Sequence, residues 1–393
     1  WFLDQSDLGD AAYHQMFVLT LDGPLNVQAM RAALHEVVRR HEVLRTTIAP
    51  REGALCQIVH EMPVKGVLPD GPVLDLSKES ENEIDRVLGE HVRSTFDLSR
   101  GPLLRCRLAR ISRDRHILAI ATHHIVMDGW SAVIFIKELR TLYTDFAAGT
   151  GSSLTEPAIQ YSDYSAWEQE RIGSPVFEKN MDYWRVKLSG VPNRLPLPSG
   201  KTFVFPPTDG AAREITKFDR ELAENLYAFS KARQITPFVT LLGAFQLLLW
   251  RYSGAEDIVV GTPLLGRTRA ELQNTMGLFS QIVPIRVDLS GNPTLLAVIN
   301  RVRQAVSEAY AHQDIPFAKV VEKLRPDPDK RRVPFVHVVF GSMADPDDWE
   351  VGGLKVSQQS RHKWIQPERV RLDMDVSVRL TRNLLLCITD YSA

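Results

Sequence analysis

The feature that most constrains the fold is an apolar run, Ile117 to Ala121, that leads almost directly into His123 and His124. A short uninterrupted apolar run of this kind is typical of a central β-strand that is buried on both faces. A turn signal, Asp128–Gly129, comes next, and then an apolar helix that Ser131 is expected to cap. This order predicts two imidazoles at the rim of a sheet, where one of them can handle a proton near neutral pH.

The two histidines are expected to point in opposite directions. Side chains alternate between the faces of a strand, so His124 shares a face with Ile120, whereas His123 shares one with Ala121. Adjacent residues on opposite faces are poorly placed to bind one metal ion, and no cysteine pair lies nearby to help. We therefore predict no metal site, with one ring buried and structural and the other facing a cavity.

Simpler interpretations of each residue stay open at this point. An isolated histidine is most often a satisfied core or surface residue, because perturbed sites are only statistically functional. Asp128 suits a plain turn, and it also suits an ion pair with an arginine. Gly129 can serve turn geometry alone, or its N–H can reach a substrate oxygen.

Composition excludes several classes of protein. The chain has 393 residues and a net charge of −1, so it lacks the basic excess of a nucleic-acid-binding surface. No apolar run approaches the roughly 20 residues that a membrane-spanning helix needs. Its three cysteines are scattered (Cys56, Cys106 and Cys387), which argues against a disulfide framework and suits a reducing cytoplasm.

Strands alternate with amphipathic helices in both halves of the chain, which is consistent with an α/β fold. The segment from Tyr161 to Leu188 is predicted to be helical. Pro192 to Pro207 carries five prolines and is predicted to link the two halves. The remaining predicted strands lie near residues 18–21, 104–108, 214, 258–260, 282–289, 335–340, 374–380 and 384–389.

The ordered motifs resemble those of condensation domains of nonribosomal peptide synthetases, members of the chloramphenicol acetyltransferase-like superfamily. The signature of that family is similar to the stretch from His123 to Gly129. Other matching motifs occur in the same order across essentially the whole chain: Trp1–Gln5, Arg40–Thr46, Tyr161–Trp167, Gly277–Phe279 with the motif ending at Arg286, His312–Phe317 and Arg332–Phe335.

The resemblance implies an α/β fold of two chloramphenicol acetyltransferase-like lobes, a V-shaped pseudodimer with an active-site tunnel between them. We expect residues 1–190 to form the N-terminal lobe, which carries the HHxxxDG motif. We expect residues 191–393 to form the C-terminal lobe, with floor-loop and latch segments and a truncated C-terminus. The chain is interpreted as an excised piece of a larger polypeptide, monomeric in that form.

The resemblance also assigns roles to residues of the signature. It implies that His124 is the central catalytic residue, which deprotonates or orients an attacking amine or stabilises the intermediate. Gly129 offers its N–H to the oxyanion, and His123 supports the site structurally. Asp128 is expected to hold the site together by pairing with a distant arginine, Arg286 first and Arg45 second.

Four further residues are expected to line the substrate tunnel. Trp130 and Ser131 end the histidine signature. Ser280 and Gln281 occupy a position where the family usually continues with Val-Asn-Thr, so substrate preference is expected to differ there.

The function implied is acyl transfer that forms a peptide bond. A donor acyl or peptidyl thioester and an acceptor aminoacyl thioester arrive on the phosphopantetheine arms of two carrier proteins. No tightly bound cofactor is expected, since phosphopantetheine belongs to the substrates. Besides the donor and acceptor carrier proteins, the expected partner is a neighbouring adenylation domain, in the cytoplasm, with no nucleic acid and no membrane.

Two alternatives accompany this interpretation. One is an ester-forming or starter-unit acyltransferase of the same superfamily. The other is a noncatalytic module that binds a carrier protein and recruits a partner enzyme. Such degenerate relatives usually lose the second histidine or the glycine, and this chain has both His124 and Gly129.

Overall fold

The computed structural model describes residues 13–62, 72–192, 194–197, 211–324, 335–342, 348–358, 372–381 and 384–392. Two of the predicted motif segments lie wholly or largely outside these residues, namely Trp1–Gln5 and the Arg332–Pro334 part of the last motif.

The helices begin where the sequence supplies polar caps. Side-chain oxygens of Asn26, Ser80, Asp128, Ser174 and Thr236, among others, accept a backbone N–H of the first helical turn. The helices are α1 (Val27–Arg40), α2 (Glu81–Arg93), α3 (Gly129–Ala147), α4 (Tyr161–Arg171), α5 (Pro175–Lys187), α6 (Arg220–Ala232), α7 (Pro237–Ser253), α8 (Leu295–Ala311) and α9 (Phe317–Leu324).

The strands confirm most of the predicted strand segments. They are β1 (His14–Asp22), β2 (Thr46–Arg51), β3 (Ala54–Val59), β4 (Leu74–Asp75), β5 (Leu104–Ser112), β6 (Arg115–His123), β7 (Ala211–Phe218), β8 (Asp257–Leu264), β9 (Gln281–Asp288), β10 (Val338–Ser342), β11 (Trp349–Val351), β12 (Leu354–Gln358), β13 (Met374–Thr381) and β14 (Leu384–Ser392). The mixed α/β fold class predicted from the sequence is confirmed.

The first of two compact units is built on a sheet with strand order β11-β12-β1-β6-β5-β4. Strand β6 pairs with both β1 and β5 and is buried along its length after Arg115, which confirms the predicted central strand. Leu118 and Ile120 face the core that contains α1 and α3. Ile117 and Ala119 face a smaller core under α2. The apolar run is continuous because both of its faces are covered.

The second unit contains a sheet with strand order β7-β14-β13-β10-β8-β9. Its core joins α5, α7 and α8 to the inner faces of β8, β9, β10 and β13. Among the described helices, none alone has the length and apolarity to cross a bilayer. The pair α6 and α7 satisfies the two criteria only jointly, and it bends by 107° at the intervening break.

The division of the chain differs from the predicted boundary between residues 190 and 191. Unit 1 comprises Trp1–Glu170, Arg269–Phe279 and Ala344–Gln366, whereas unit 2 comprises Arg171–Thr268, Ser280–Met343 and Pro367–Ala393. The first boundary falls earlier because α5 belongs to the second core, where Trp184 is fully buried. Two later segments return to unit 1, and β11 and β12 extend its sheet beyond β1.

The helix predicted from Tyr161 to Leu188 is two helices, α4 and α5. Gly173 has a φ of +83°, a conformation that suits glycine, and Pro175 occupies the first turn of α5. Ser174 caps the second helix between them. The sequence signals for this break are a Gly and a Pro two residues apart, which the apolar pattern of the segment concealed.

A buried charge network joins α1 to α3. Glu138 Oε2 lies 2.9 Å from Arg40 Nε and 3.0 Å from His41 Nε2, and all three residues are buried, with exposed fractions of 4% for Arg40, 1% for His41 and 8% for Glu138. Arg40 also donates to the carbonyls of Leu154 and Thr155. Although burial raises the pKa of Glu138, hydrogen bonds from His41 and Arg40 outweigh it and lower that pKa below its ordinary value of 4.5.

The substitution Glu138→Gln should therefore lower the free energy of unfolding by about 3 kcal/mol, because it leaves a buried guanidinium without its counter-charge. The folded-state pKa of Glu138 lies below 4.5, so its contribution to stability is complete above pH 4.5 and is lost as the pH falls further. Urea unfolding between pH 3 and 7 measures both effects. The control is Glu83→Gln, which removes an exposed pair in α2 and should change little. An equal loss in both variants would contradict the network's role.

Candidate active site

The two histidines of the signature lie where β6 ends, and their surroundings differ. His123 is 3% exposed and lies opposite His14 in the sheet. Its Nδ1 accepts the N–H of Ile125 at 3.1 Å, and its ring lies edge-on to those of His14 and Phe96. This ring is enclosed on the α2 side of the sheet, where it holds the start of the following turn.

His124 is only partly buried and lies at the start of that turn. Its N–H donates to the carbonyl of Tyr13 at 2.7 Å, and its own carbonyl accepts the N–H of Met127 at 3.3 Å. Burial lowers the pKa of the imidazole below its ordinary value of 6.5, and the opposing effects of its own backbone and of Asp128 do not cancel the shift. The lowered pKa favours the neutral form of the ring, which has a lone pair with which to accept a proton or a hydrogen bond.

Asp128 fixes the far end of the turn. Its side chain is completely buried and caps α3, since Oδ1 accepts the N–H and the hydroxyl of Ser131 at 2.8 Å each. Oδ2 accepts the N–H of Phe279 at 3.1 Å. The sequence prediction that Ser131 caps the helix is thus wrong, because the cap is three residues earlier and Ser131 is its partner.

Residues 277–279 complete this arrangement. The Ser131 hydroxyl lies 2.9 Å from the carbonyl of Gly277 and accepts the N–H of Gly277 at 3.0 Å, while Asp128 N–H donates to the same carbonyl. The hydroxyl of Tyr161 donates to the carbonyl of Leu278 at 2.8 Å. Three motifs that are far apart in the sequence therefore meet within unit 1.

The side chain of Tyr161 leaves no room for a side chain at position 277. A Cβ on Gly277 would lie 2.1 Å from Cδ2 of Tyr161. The glycine of this motif is therefore explained by close approach of a backbone to an aromatic ring.

Gly129 has no such explanation among the residues that the structure describes. It is exposed at the first position of α3, its φ lies outside the left-handed region, and an added Cβ would meet no atom within 4 Å. The interpretation that turn geometry alone requires this glycine is therefore not supported. Next to it, Trp130 is half-buried against the core, and its Nε1–H donates to the carbonyl of Gln273 at 3.0 Å.

The two arginines predicted to pair with Asp128 are bonded elsewhere. Arg286 contacts Asp257 through Nε and Nη2, and its Nη1 donates to the carbonyls of Lys187 and Ser189 at the end of α5. Arg45 donates to the carbonyl of His60 at 2.6 Å, next to the strand β3. Each arginine joins elements of its own unit, and all three guanidinium nitrogens of Arg286 are used in these contacts.

The residues expected to line a tunnel are also used in other ways. Ser131 is fully buried in its cap. Gln281 bonds at both ends of its amide, donating to the carbonyl of Gln313 at 2.9 Å and accepting the N–H of Phe317 at 2.8 Å. These contacts argue against a direct substrate contact for either side chain. Ser280 is half-buried and begins the segment of unit 2 that leads into β9.

Sequence reasoning missed the pairing of Asp128 and Ser131 with residues 277–279. The signals were present, since Tyr161 and Gly277 both open recognised motifs, but they lie more than 100 residues apart in the sequence. Linear spacing carries no information about which motifs share a hydrogen-bond network.

Comparison with known sequences assigns the whole chain to one family. A family model described as the condensation domain matches residues 1–391. Chondramide synthase cmdD of Chondromyces crocatus is 40% identical over 341 residues, which cover 86% of this chain and 9% of that protein. Cyclosporin synthetase simA of Tolypocladium inflatum is 34% identical over 386 residues, which cover 95% of this chain and 2% of that protein. The chain thus spans less than a tenth of either relative.

Comparison with solved structures agrees. The X-domain from teicoplanin biosynthesis superposes with a TM-score of 0.85 at 27% identity, over 100% of this chain and 87% of that one. The first condensation domain of the calcium-dependent antibiotic synthetase, in complex with a substrate analogue, gives a TM-score of 0.81 at 21% identity, over 100% and 89% of the two chains. The second likeness shows a shared fold.

The substitution Gly277→Ala should lower the free energy of unfolding by about 1–3 kcal/mol, because the new methyl group overlaps the ring of Tyr161. Gly151→Ala is the matched control, since that glycine of unit 1 has open space around it, and it should stay within about 0.5 kcal/mol of the wild type. Chemical denaturation provides both values. If the two variants proved equally stable, the close approach of Tyr161 would not be the constraint described.

Proposed function

Because the chain belongs to the condensation-domain family of nonribosomal peptide synthetases, we propose that it is an acyltransferase that forms a peptide bond. Its donor is an acyl or peptidyl thioester, its acceptor is an aminoacyl thioester, and both are attached to carrier proteins through phosphopantetheine arms. The observation that carries the proposal is the position of His124, a partly exposed residue directly after β6 whose imidazole pKa is lowered by burial.

The proposed reaction makes one C–N bond and breaks one C–S bond. The acceptor amine attacks the donor carbonyl, the tetrahedral intermediate collapses, and the donor thiol leaves with a proton. His124 accepts a hydrogen bond or a proton from the amine as it attacks. Holding both thioesters close together supplies much of the acceleration, because it turns an encounter of two arms into a reaction within one complex.

Gly129 is proposed to serve the oxyanion of the intermediate. Its N–H lies in the first turn of α3, where backbone donors carry a partial positive charge. The open space beside its Cα gives a substrate access to the backbone. His123, Asp128 and Ser131 support the site by fixing both ends of the turn that carries His124.

The proposed partners follow from the reaction. They are a donor carrier protein, an acceptor carrier protein and the adenylation domain that loads a neighbouring carrier, all in the cytoplasm. The domain itself is proposed to act as a monomer without a resident cofactor, and the phosphopantetheine arms enter as parts of its substrates.

Two other functions are kept as competitors. Recruitment without catalysis is favoured by the likeness to the X-domain from teicoplanin biosynthesis, which has also been solved in a complex with OxyB. Transfer of a starter acyl group or formation of an ester is the other. This chain shares its fold, with a TM-score of 0.85, with the starter condensation domain of rhizomide synthetase, whose arginine-to-alanine mutant was solved in complex with C8-CoA.

The substitution His124→Ala should reduce the rate of condensation by about 100-fold or more, the usual range for a lost acid–base group. The assay mixes the domain with a loaded donor carrier and a loaded acceptor carrier and follows product by intact-mass analysis of the acceptor. The control is His35→Ala, on the exposed face of α1, which should retain the wild-type rate.

Undiminished product from His124→Ala would remove the catalytic assignment. A wild-type domain that binds both carriers yet forms no product would favour recruitment. Product that forms only with a hydroxyacyl acceptor would favour the ester-forming function.

A further inference from the structure

A cleft of about 210 Å³ opens in unit 1 beside the turn that follows His124. Ile125 and Val126 of that turn form one wall. Ile48 of β2 and Gln57 of β3, which are directly opposite in their hairpin, form another. Directly paired residues share a face of a β-hairpin, so the Gln57 side chain points to the same side as that of Ile48.

Most of the residues that line this cleft are apolar. None of its ten lining residues is charged, and six are Val, Ile or Leu. The hydroxyl of Tyr161 donates to the carbonyl of Leu278, and that of Thr46 donates to the carbonyl of Glu42 at 2.7 Å. Because these hydroxyl protons already have acceptors, the Gln57 amide and the Cys56 thiol are the remaining polar side-chain groups of the lining, and most of the wall is apolar.

The volume of the cleft limits which chemical groups can occupy it. An apolar protein cavity of about 150 Å³ holds benzene, whereas pockets for whole drug-sized ligands start near roughly 300 Å³. A cleft of 210 Å³ therefore suits one aromatic or branched aliphatic side chain.

The position of the cleft identifies what carries that side chain. In an amino acid, the side chain is one bond from the Cα, and so are the amine and the carbonyl. A pocket for the side chain must then adjoin the group that acts on the amine or on the carbonyl. Ile125, the residue directly after His124, lines the cleft, and this places the cleft beside the turn that carries His124.

We propose that this cleft binds the aromatic or branched aliphatic side chain of a carrier-bound amino acid whose reacting group lies at His124. The inference rests on the proposed function, and it names the substrate class of that site. Two sources share this chemistry, namely the acceptor amino acid and the last residue of the donor.

The test measures binding, so it does not depend on turnover. The probes are pantetheine amides of phenylalanine, alanine and naphthylalanine, which cannot react as thioesters. Each is made with a free amine to represent the acceptor and with an N-acetyl group to represent the donor. Isothermal titration gives the dissociation constants for the wild type, Gln57→Trp, Gln57→Ala and the control Ala54→Phe. Ala54 is exposed on the same strand and does not line the cleft.

The wild type should bind a phenylalanyl probe about tenfold or more tightly than its alanyl counterpart, a ratio in the range that pocket burial of a few methylene equivalents gives. Gln57→Trp should abolish this preference, and Ala54→Phe should keep it. Gln57→Ala, which enlarges the cleft, should shift the preference toward a naphthylalanyl probe, and this variant serves if the tryptophan variant does not fold. The form of probe that shows the effect identifies the donor or the acceptor as its source.

An equal preference in the wild type and both Gln57 variants would overturn the pocket, as would a wild type that does not distinguish phenylalanyl from alanyl probes. Condensation by that wild type would leave the proposed function intact. Conversely, the expected binding pattern without any condensation would remove the proposed function and retain the side-chain pocket.

Discussion

The completely buried carboxylate of Asp128 is the constraint on which the candidate site depends. A carboxylate without water is expensive unless donors surround it. Here the hydroxyl and N–H of Ser131 satisfy one oxygen, and the N–H of Phe279 bonds the other. The same contacts start α3 and attach residues 277–279 to it. The turn that carries His124 is consequently held between the end of β6 and a fixed helix terminus.

The central strand and the family motifs could be predicted from the sequence because short sequence patterns determine them. The apolar run from Ile117 to Ala121 is continuous since α2 covers one face of β6 and α1 and α3 cover the other. His123 is the last residue of β6 and packs among aromatic side chains on the α2 side, whereas His124 already belongs to the turn that follows. The ordered motifs indicated the family, which the family model confirms over residues 1–391.

The errors concern long-range partners. Asp128 was expected to pair with Arg286, but the requirement that a guanidinium find acceptors is met by Asp257 and by carbonyls at the end of α5. The sequence likewise did not indicate that the amide of Gln281 bonds residues 313 and 317, whereas its place on a tunnel wall stays a prediction. Charge type predicts that a partner exists, whereas the identity of the partner depends on the packing of distant segments. The predicted boundary at residue 190 differs from the observed division for the same reason, because Trp184 packs in the core of the second unit.

The proposed chemistry requires access of both substrates to the imidazole of His124. His124 is a partly exposed residue in a turn that is fixed at both ends, and burial lowers the pKa of its imidazole. We propose that the reacting ends of two carrier-bound arms meet there. The most direct measurement uses carrier proteins whose pantetheine arm ends in a bromoacetamide, followed by peptide mass mapping. The account predicts that His124 is the histidine alkylated by the donor carrier and also by the acceptor carrier. Alkylation of exposed histidines such as His35 while His124 stays unmodified with both carriers would contradict it.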